Sequence, residues 1–298
     1  MIPSGKLIII GGAIDTGSFT EKEFGKENNM NFFEHGILKR IITETGKKNP
    51  RVEFLTTASQ IPDQVGKEYV RAFEILGVKN TGVMNITSRE MADKDEILRR
   101  LSVCDALMMT GGDQLRLTSI LGGTRFSEIM TDKYFHEEFV IAGTSAGAAA
   151  CSNMMIYQGS SSEALLKGEI KITGGLGLIN DVVIDTHFVQ RGRIGRLFQA
   201  VVSNPRILGI GLGEDTGLLI KHNNEMEAIG SGLVILVDGK RIRDTNITDV
   251  EMGAPISINH LIVHVMSLHD TYNVKEGLLV INKTEPKIIA DKYVKLDR

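Results

Sequence analysis

The chain has 298 residues, with 34 lysines and arginines against 37 aspartates and glutamates and only two cysteines. Its 42% hydrophobic and 24% charged content is that of a chain that packs a globular core. A formal net charge of −3 excludes a general electrostatic pull on nucleic acid or on an anionic membrane, so any charge selectivity must be local.

The apolar run Leu7 to Ile10 is too short for the core of a secretory signal. The longest uncharged stretch, Phe139 to Ser162, is interrupted by Ser, Thr, Asn, Gln and Gly, so neither export nor a membrane span is expected. The pattern predicts a strand over Lys6 to Gly12, a helix near Asn31 to Thr45, a strand over Val52 to Thr57 and a helix near Pro62 to Leu76. A strand at Gly82 to Ile86, a helix near Asp93 to Leu101, a strand at Ala106 to Met109 and a helix at Leu115 to Leu121 continue the alternation. Next come a strand at Phe139 to Ala142 and a helix at Ala146 to Ser152. Alternation of this kind predicts an α/β fold, a doubly wound, mostly parallel sheet flanked by helices.

Beyond about residue 206 helical periodicity fades. Leu208 to Leu212, Thr216 to Ile220, Gly232 to Val237, Leu261 to Met266 and Gly277 to Ile281 read as strands, a β-rich antiparallel C-terminal extension of the same sheet. With six prolines, no Pro/Ser-rich linker and no fixed-period repeat, residues 1–298 read as one α/β domain. Cys104 and Cys151 lack a second cysteine at metal-ligand spacing and read as reduced thiols of a cytoplasmic protein.

Gly143-Thr144-Ser145-Ala146-Gly147 fits Gly-x-Ser-x-Gly between a buried-strand pattern and a small-residue helix start, the setting of a nucleophile elbow. The ordinary reading of the same residues is a strand-to-helix turn capped by Ser145. A serine hydroxyl needs a base. His187 stands out, because it ends the apolar strand Val182 to Thr186 and opens a segment carrying Arg191, Arg193 and Arg196. His260 and His264 fall on a strand pattern without an adjacent carboxylate and read as structural, while His35, His136, His222 and His269 carry no signal. Glu214 and Asp215 offer two adjacent carboxylates at a strand end, either of which could orient a histidine. The glycines at 209, 211 and 213 lead into another strand, not a helix, which rules out a dinucleotide loop.

Five ordered stretches together resemble the cyanophycinase family of serine peptidases. They are Thr110 to Gln114, Gly143 to Ala148, Gly174 to Leu178, Asp185 to Phe188 with Gln190 to Leu197, and Gly209 to Thr216. That family is related to aspartyl dipeptidases and shares a scaffold with class I glutamine amidotransferases. The resemblance implies hydrolysis of cyanophycin, a polyaspartate with arginine on each β-carboxyl, to β-aspartyl-arginine dipeptides. It also implies Ser145 as nucleophile, His187 as base, Glu214 as the orienting acid, and the backbone N–H groups of Gly112 and Ala146 as oxyanion hole. Gln114, Asp185, Thr186, Arg191, Arg193 and Arg196 fall at its substrate-contact positions, and Asp113 and Glu163 are offered as partners for the substrate guanidinium. Three arginines within six residues suit a carboxylate-rich polymer, because the planar guanidinium fork matches a carboxylate. No metal or organic cofactor is called for, and the family implies a homodimer. Thr186 stands where the family usually has Gln, and Gly213 where it has Asp, which bears on substrate identity more than on reaction type. The serine- and glycine-containing stretch Gln158 to Lys171 is expected to form a mobile cover. The alternative functions are an aspartyl or isoaspartyl dipeptidase acting on short peptides and a non-catalytic module that binds acidic ligands.

Overall fold

A computed structural model describes residues 2–17, 36–221 and 225–283; His35, His222 and the first residues of the helix expected from Asn31 lie outside them. The first half runs β1 (Lys6–Ile10), α1 (Ile37–Glu44), β2 (Val52–Leu55), α2 (Pro62–Ile75), β3 (Thr81–Met84), α3 (Arg89–Ala92), α4 (Asp95–Val103) and β4 (Ala106–Met109). It continues through α5 (Gln114–Leu121), α6 (Arg125–His136), β5 (Val140–Thr144) and α7 (Ala146–Ala150). Local chemistry starts these helices. Pro62 sits at the first position of α2, where its missing N–H is not needed. The Asp113 carboxylate caps α5 by accepting the Arg116 N–H at 3.0 Å. Ile37, Leu38, Ile41 and Ile42 form the one buried stripe of α1.

The second half runs β6 (Ser152–Gln158), β7 (Lys171–Gly174), β8 (Ile179–Thr186), α8 (Ile194–Ser203), β9 (Leu208–Leu212), β10 (Thr216–Lys221), β11 (Glu225–Gly230) and β12 (Val234–Asp238). The short strands β13 (Asp244–Thr245) and β14 (Ile258–Asn259) pair with each other before β15 (Ile262–Met266), β16 (Thr271–Asn273) and β17 (Leu278–Val280).

Two sheets result. The first has the order β17-β16-β11-β10-β1-β5-β4-β2-β3; its β1, β5, β4, β2 and β3 are parallel, and β10, β11, β16 and β17 extend it in antiparallel fashion. The second has the order β15-β12-β9-β8-β6-β7, with β6, β8 and β9 parallel. The expectation of a single extended sheet is therefore corrected. Of the C-terminal strands, β10 and β17 join the first sheet, while β9, β12 and β15 build the second. Strand periodicity reports which face of a strand is buried but not which sheet it joins. Close packing decides the place of β9: a Cβ on Gly209 would lie 2.7 Å from Leu197 Cγ of α8, and one on Gly211 would lie 2.5 Å from Phe188 Cδ1.

α1 and α2 cover one face of the first sheet, burying Ile8, Ile10, Phe54, Met108 and Ala142. The opposite face shares one apolar core with the second sheet, in which Leu7, Ile9, Leu107 and Ile141 meet Ile184, Ile210 and Leu236. Each such fully buried aliphatic side chain contributes about 1.5–3 kcal/mol. α7, with the sequence Ala-Gly-Ala-Ala-Ala, lies between the sheets and is wholly buried. Among the described residues no helix is long and apolar enough to cross a membrane.

Candidate active site

The β5–α7 turn is shaped by what cannot fit in it. A Cβ on Gly143 would lie 2.5 Å from the Gly147 carbonyl oxygen, and one on Gly147 would lie 2.4 Å from the Met109 carbonyl oxygen. Ser145 between them holds φ 51° and ψ −109°, a strained conformation for a residue with a side chain. Its N–H donates to the Ile10 carbonyl at 2.9 Å, which fixes the turn. The hydroxyl stands beyond the carboxyl end of β5, at the mouth of a parallel sheet where such folds bind ligands.

His187 follows β8 of the other sheet, also in the left-handed region at φ 50°. Its Nε2 lies 3.0 Å from Ser145 Oγ, and its Nδ1 lies 3.2 Å from Glu214 Oε1. Glu214 sits in the link that carries the chain from β9 in the second sheet to β10 in the first. The sequence leaves two carboxylates open; the structure brings one of them to the imidazole. Asp215, at φ 44°, turns its carboxylate away to accept the Ser231 hydroxyl at 2.6 Å, and burial raises its pKa against the pull of that bond.

The segment after β1 ties these parts together. The Ile10 carbonyl holds the Ser145 N–H, the Gly11 carbonyl holds the His187 N–H at 2.6 Å, and the Ala13 carbonyl holds the Asp215 N–H at 2.7 Å. The Gly12 carbonyl takes the Thr144 hydroxyl at 2.9 Å. Four successive carbonyls thus receive groups from both sheets. Gly12 also faces the imidazole: a Cβ there would meet His187 Cε1 and Nδ1 at 2.6 Å. Sequence reasoning passes over Gly11, Gly12 and Ala13; the available signal is a glycine pair directly after a buried strand.

Burial lowers the His187 pKa below its ordinary value of 6.5; Arg191 and Arg193 push the same way, and Glu214 opposes them. The ring is therefore neutral near neutral pH and able to take a proton from the hydroxyl. A serine bonded to an imidazole that a carboxylate orients is an arrangement for acyl transfer.

Ala146 follows Ser145 at the start of α7, and Gly112 follows the glycine that faces it. A Cβ on Gly111 would lie 3.4 Å from Ser145 Cβ, so the 111–112 loop abuts the serine, and Gly112 at φ 140° passes so close to the Ala58 carbonyl that only glycine fits. Gln114 Nε2 is bonded to the Ile156 carbonyl at 3.0 Å. Of the other positions given to substrate by resemblance, Asp185, Thr186 and Arg196 are buried at 3%, 5% and 5% exposure. Arg193 is half-buried, and only Arg191 is exposed. Asp113 serves as the α5 cap, and Glu163 is exposed.

The 158–171 stretch is fastened rather than loose. The Lys167 N–H donates to the Ala254 carbonyl and the Gly253 N–H to the Lys167 carbonyl, each at 2.9 Å, and the Gln199 amide donates to the Ala164 and Leu166 carbonyls at 2.7 Å. His264 packs on the Tyr272 ring, while His260 lies outside β15 at φ 66°, so the two do not form a pair. Among the described residues no group of His, Cys, Asp and Glu could hold a metal ion.

Residues 24–228 match peptidase family S51. The chain is 33% identical over 267 residues to the cyanophycinase of Trichormus variabilis, covering 90% of this chain and 85% of that one. It is 34% identical over 269 residues to the cyanophycinase of Geminocystis herdmanii, covering 90% and 93% respectively. Among solved structures, a peptidase from an acI-B1 Actinobacterium shares the fold at a TM-score of 0.59 and 17% identity, over 87% of this chain and 97% of its own.

Proposed function

The chain belongs to peptidase family S51, and from that premise we propose that it is a serine exopeptidase that degrades cyanophycin to β-aspartyl-arginine through an acyl-enzyme. Ser145 attacks the scissile carbonyl while His187 Nε2 takes the hydroxyl proton, and Glu214 holds the Nδ1–H and steadies the imidazolium that forms. The N–H groups of Gly112 and Ala146 receive the oxyanion, since Ala146 opens α7 and its N–H has no carbonyl within the helix to bond. The imidazolium returns the proton to the leaving amine. Water, deprotonated by the same ring, then releases the acyl group and restores Ser145.

The observation that carries this reading is the continuous contact Ser145–His187–Glu214, at 3.0 and 3.2 Å, assembled from two sheets. Arg191 is the exposed cation beside the imidazole, and we assign it to a carboxylate of the substrate. Two buried free thiols, Cys104 and Cys151, support a reducing, cytoplasmic setting. Resemblance to the family supports a homodimer, which sedimentation would test.

The direct experiment incubates wild type and Ser145→Ala with insoluble cyanophycin and follows β-aspartyl-arginine by mass spectrometry. Release by the wild type alone is expected. A folded wild type that spares the polymer but cleaves short β-aspartyl peptides would make the protein a dipeptidase instead. Failure of both substrates would leave the binding-module reading.

A further inference from the structure

Clearance dictates glycine where the chain leaves β1. A Cβ on Gly11 would run into the Gly213 carbonyl oxygen, and one on Gly12 would lie 2.6 Å from the imidazole of His187. Glycine leaves the backbone free to turn, so the conformation here is set by hydrogen bonds. Of the four carbonyls from Ile10 to Ala13, three receive the backbone N–H groups of Ser145, His187 and Asp215. The Gly12 carbonyl is held by a side chain, the buried Thr144 hydroxyl at 2.9 Å. Such a bond is not the common lot of the threonines at this level of the sheet. Thr110 and Thr56 follow β4 and β2 in line with Thr144, since Gly143 pairs with Met109 and Met109 with Leu55. Both are equally buried, and their hydroxyls have no hydrogen-bond partner among the described residues.

Gly12 stands between this bond and the base–acid pair. Its Cα faces the imidazole edge that carries Nδ1, and a Cβ there would also lie 3.2 Å from Glu214 Cγ. Next along the chain, the Ala13 carbonyl holds the Asp215 N–H at 2.7 Å, one residue from Glu214. Gly12 is buried, so its carbonyl without the hydroxyl is an unpaired acceptor, and the Gly12–Ala13 peptide turns to seek another donor. That turn disturbs the packing on both members of the His187–Glu214 contact, while the Ser145 N–H keeps its place on Ile10.

We infer that Thr144 is a positioning residue whose hydroxyl, acting through Gly12, seats the imidazole of His187 against Glu214. The residue beside the nucleophile thus serves the base and its acid, and being buried it serves them without meeting substrate. The inference rests on the serine-peptidase reading above, because it concerns the groups that activate Ser145.

Two substitutions separate the hydroxyl from the rest of the side chain. Thr144→Val keeps the branched shape and loses the bond, whereas Thr144→Ser keeps the bond and loses a buried methyl. A small fluorophosphonate reacts with Ser145 through the same imidazole without the contacts of a peptide, so its labelling rate reads the alignment of the site. Thr144→Val is expected to lower that rate and kcat on β-aspartyl-arginine substrates together, by about 10-fold, with KM within threefold of wild type. Burial, with Arg191 and Arg193, lowers the His187 pKa and Glu214 opposes them, so a loosened Glu214 contact moves the acid limb of kcat/KM and of labelling to lower pH. Thr144→Ser should melt earlier than wild type yet keep both rates within threefold and the acid limb in place. A merely structural role would instead make the rates follow the melting temperature. Wild-type rates in Thr144→Val overturn the inference, as does a fall in rate with the acid limb unmoved, which would place the damage at the Ser145 turn. If Thr144→Val melts below the assay temperature, Thr144→Ser decides: a 10-fold loss there, with the hydroxyl retained, overturns the inference equally. A wild type that labels yet cleaves no β-aspartyl substrate refutes the functional reading, while the labelling comparison still decides the role of Thr144. A folded wild type that neither labels nor cleaves refutes both.

Discussion

Gly12→Ala tests how closely the imidazole is packed. The added Cβ would lie 2.6 Å from His187 Cε1 and Nδ1 and 3.2 Å from Glu214 Cγ. Ordinary contact begins near 3.4 Å, so the ring must retreat by about 0.8 Å. A displacement approaching 1 Å at a reacting group costs on the order of 100-fold in rate, about 2.7 kcal/mol of barrier. The fold itself is asked to absorb one extra methyl in a tight place, about 1–3 kcal/mol. The expected variant is therefore folded, melts somewhat earlier than wild type, and is slowed about 100-fold both in β-aspartyl-arginine release and in fluorophosphonate labelling. Gly174→Ala is the control, because a Cβ there meets nothing within 4 Å. A Gly12→Ala protein with kcat within threefold of wild type and unchanged labelling would refute the reasoning.

Ser145→Ala and His187→Ala should each lower turnover by about 10⁴-fold or more, and the double variant should lose little beyond either, as expected of groups that act as a unit; additive losses in the cycle would separate them. Glu214→Gln should cost far more in kcat than Asp215→Asn, since only Glu214 reaches the imidazole; the opposite order would move the acid to Asp215. The base works unprotonated, and its pKa is lowered, so the acid limb of kcat/KM should fall below pH 6.5. Removing a positive charge lets the ring hold its proton more tightly, so Arg191→Gln should move that limb to higher pH; a shift towards acid would contradict the sign.

The alternation of β2, β4 and β5 with α2, α4 and α5 was legible because buried parallel strands are short apolar runs and their helices are amphipathic. α6, β6, β7, β11 and β16 were not read; β7 and β16 are short, and the burial of β6 does not alternate cleanly. Division of the C-terminal strands between two sheets depends on packing at Gly209 and Gly211, which no local pattern encodes. In the site, Ser145 and His187 were legible through a turn motif and an isolated histidine at a strand end. The choice of Glu214 over Asp215 rests on backbone conformation around Ser231 and Ala13, far along the chain. The arginine group shows the limit of composition: the sequence carries three cations, but two of them, the half-buried Arg193 and the buried Arg196, pair with Asp185.

Ser145 belongs to one sheet and His187 to the other, and the five-residue alanine and glycine helix α7 is the thin spacer across which the two are docked. Chemistry here is consequently a readout of how well the two halves are seated. A small parting of the sheets severs the serine from its base while every strand remains intact. Heating should silence the protein before circular dichroism registers any loss of structure, and enlarging Ala148 or Ala149 should lower the temperature of that silencing more than the temperature of melting.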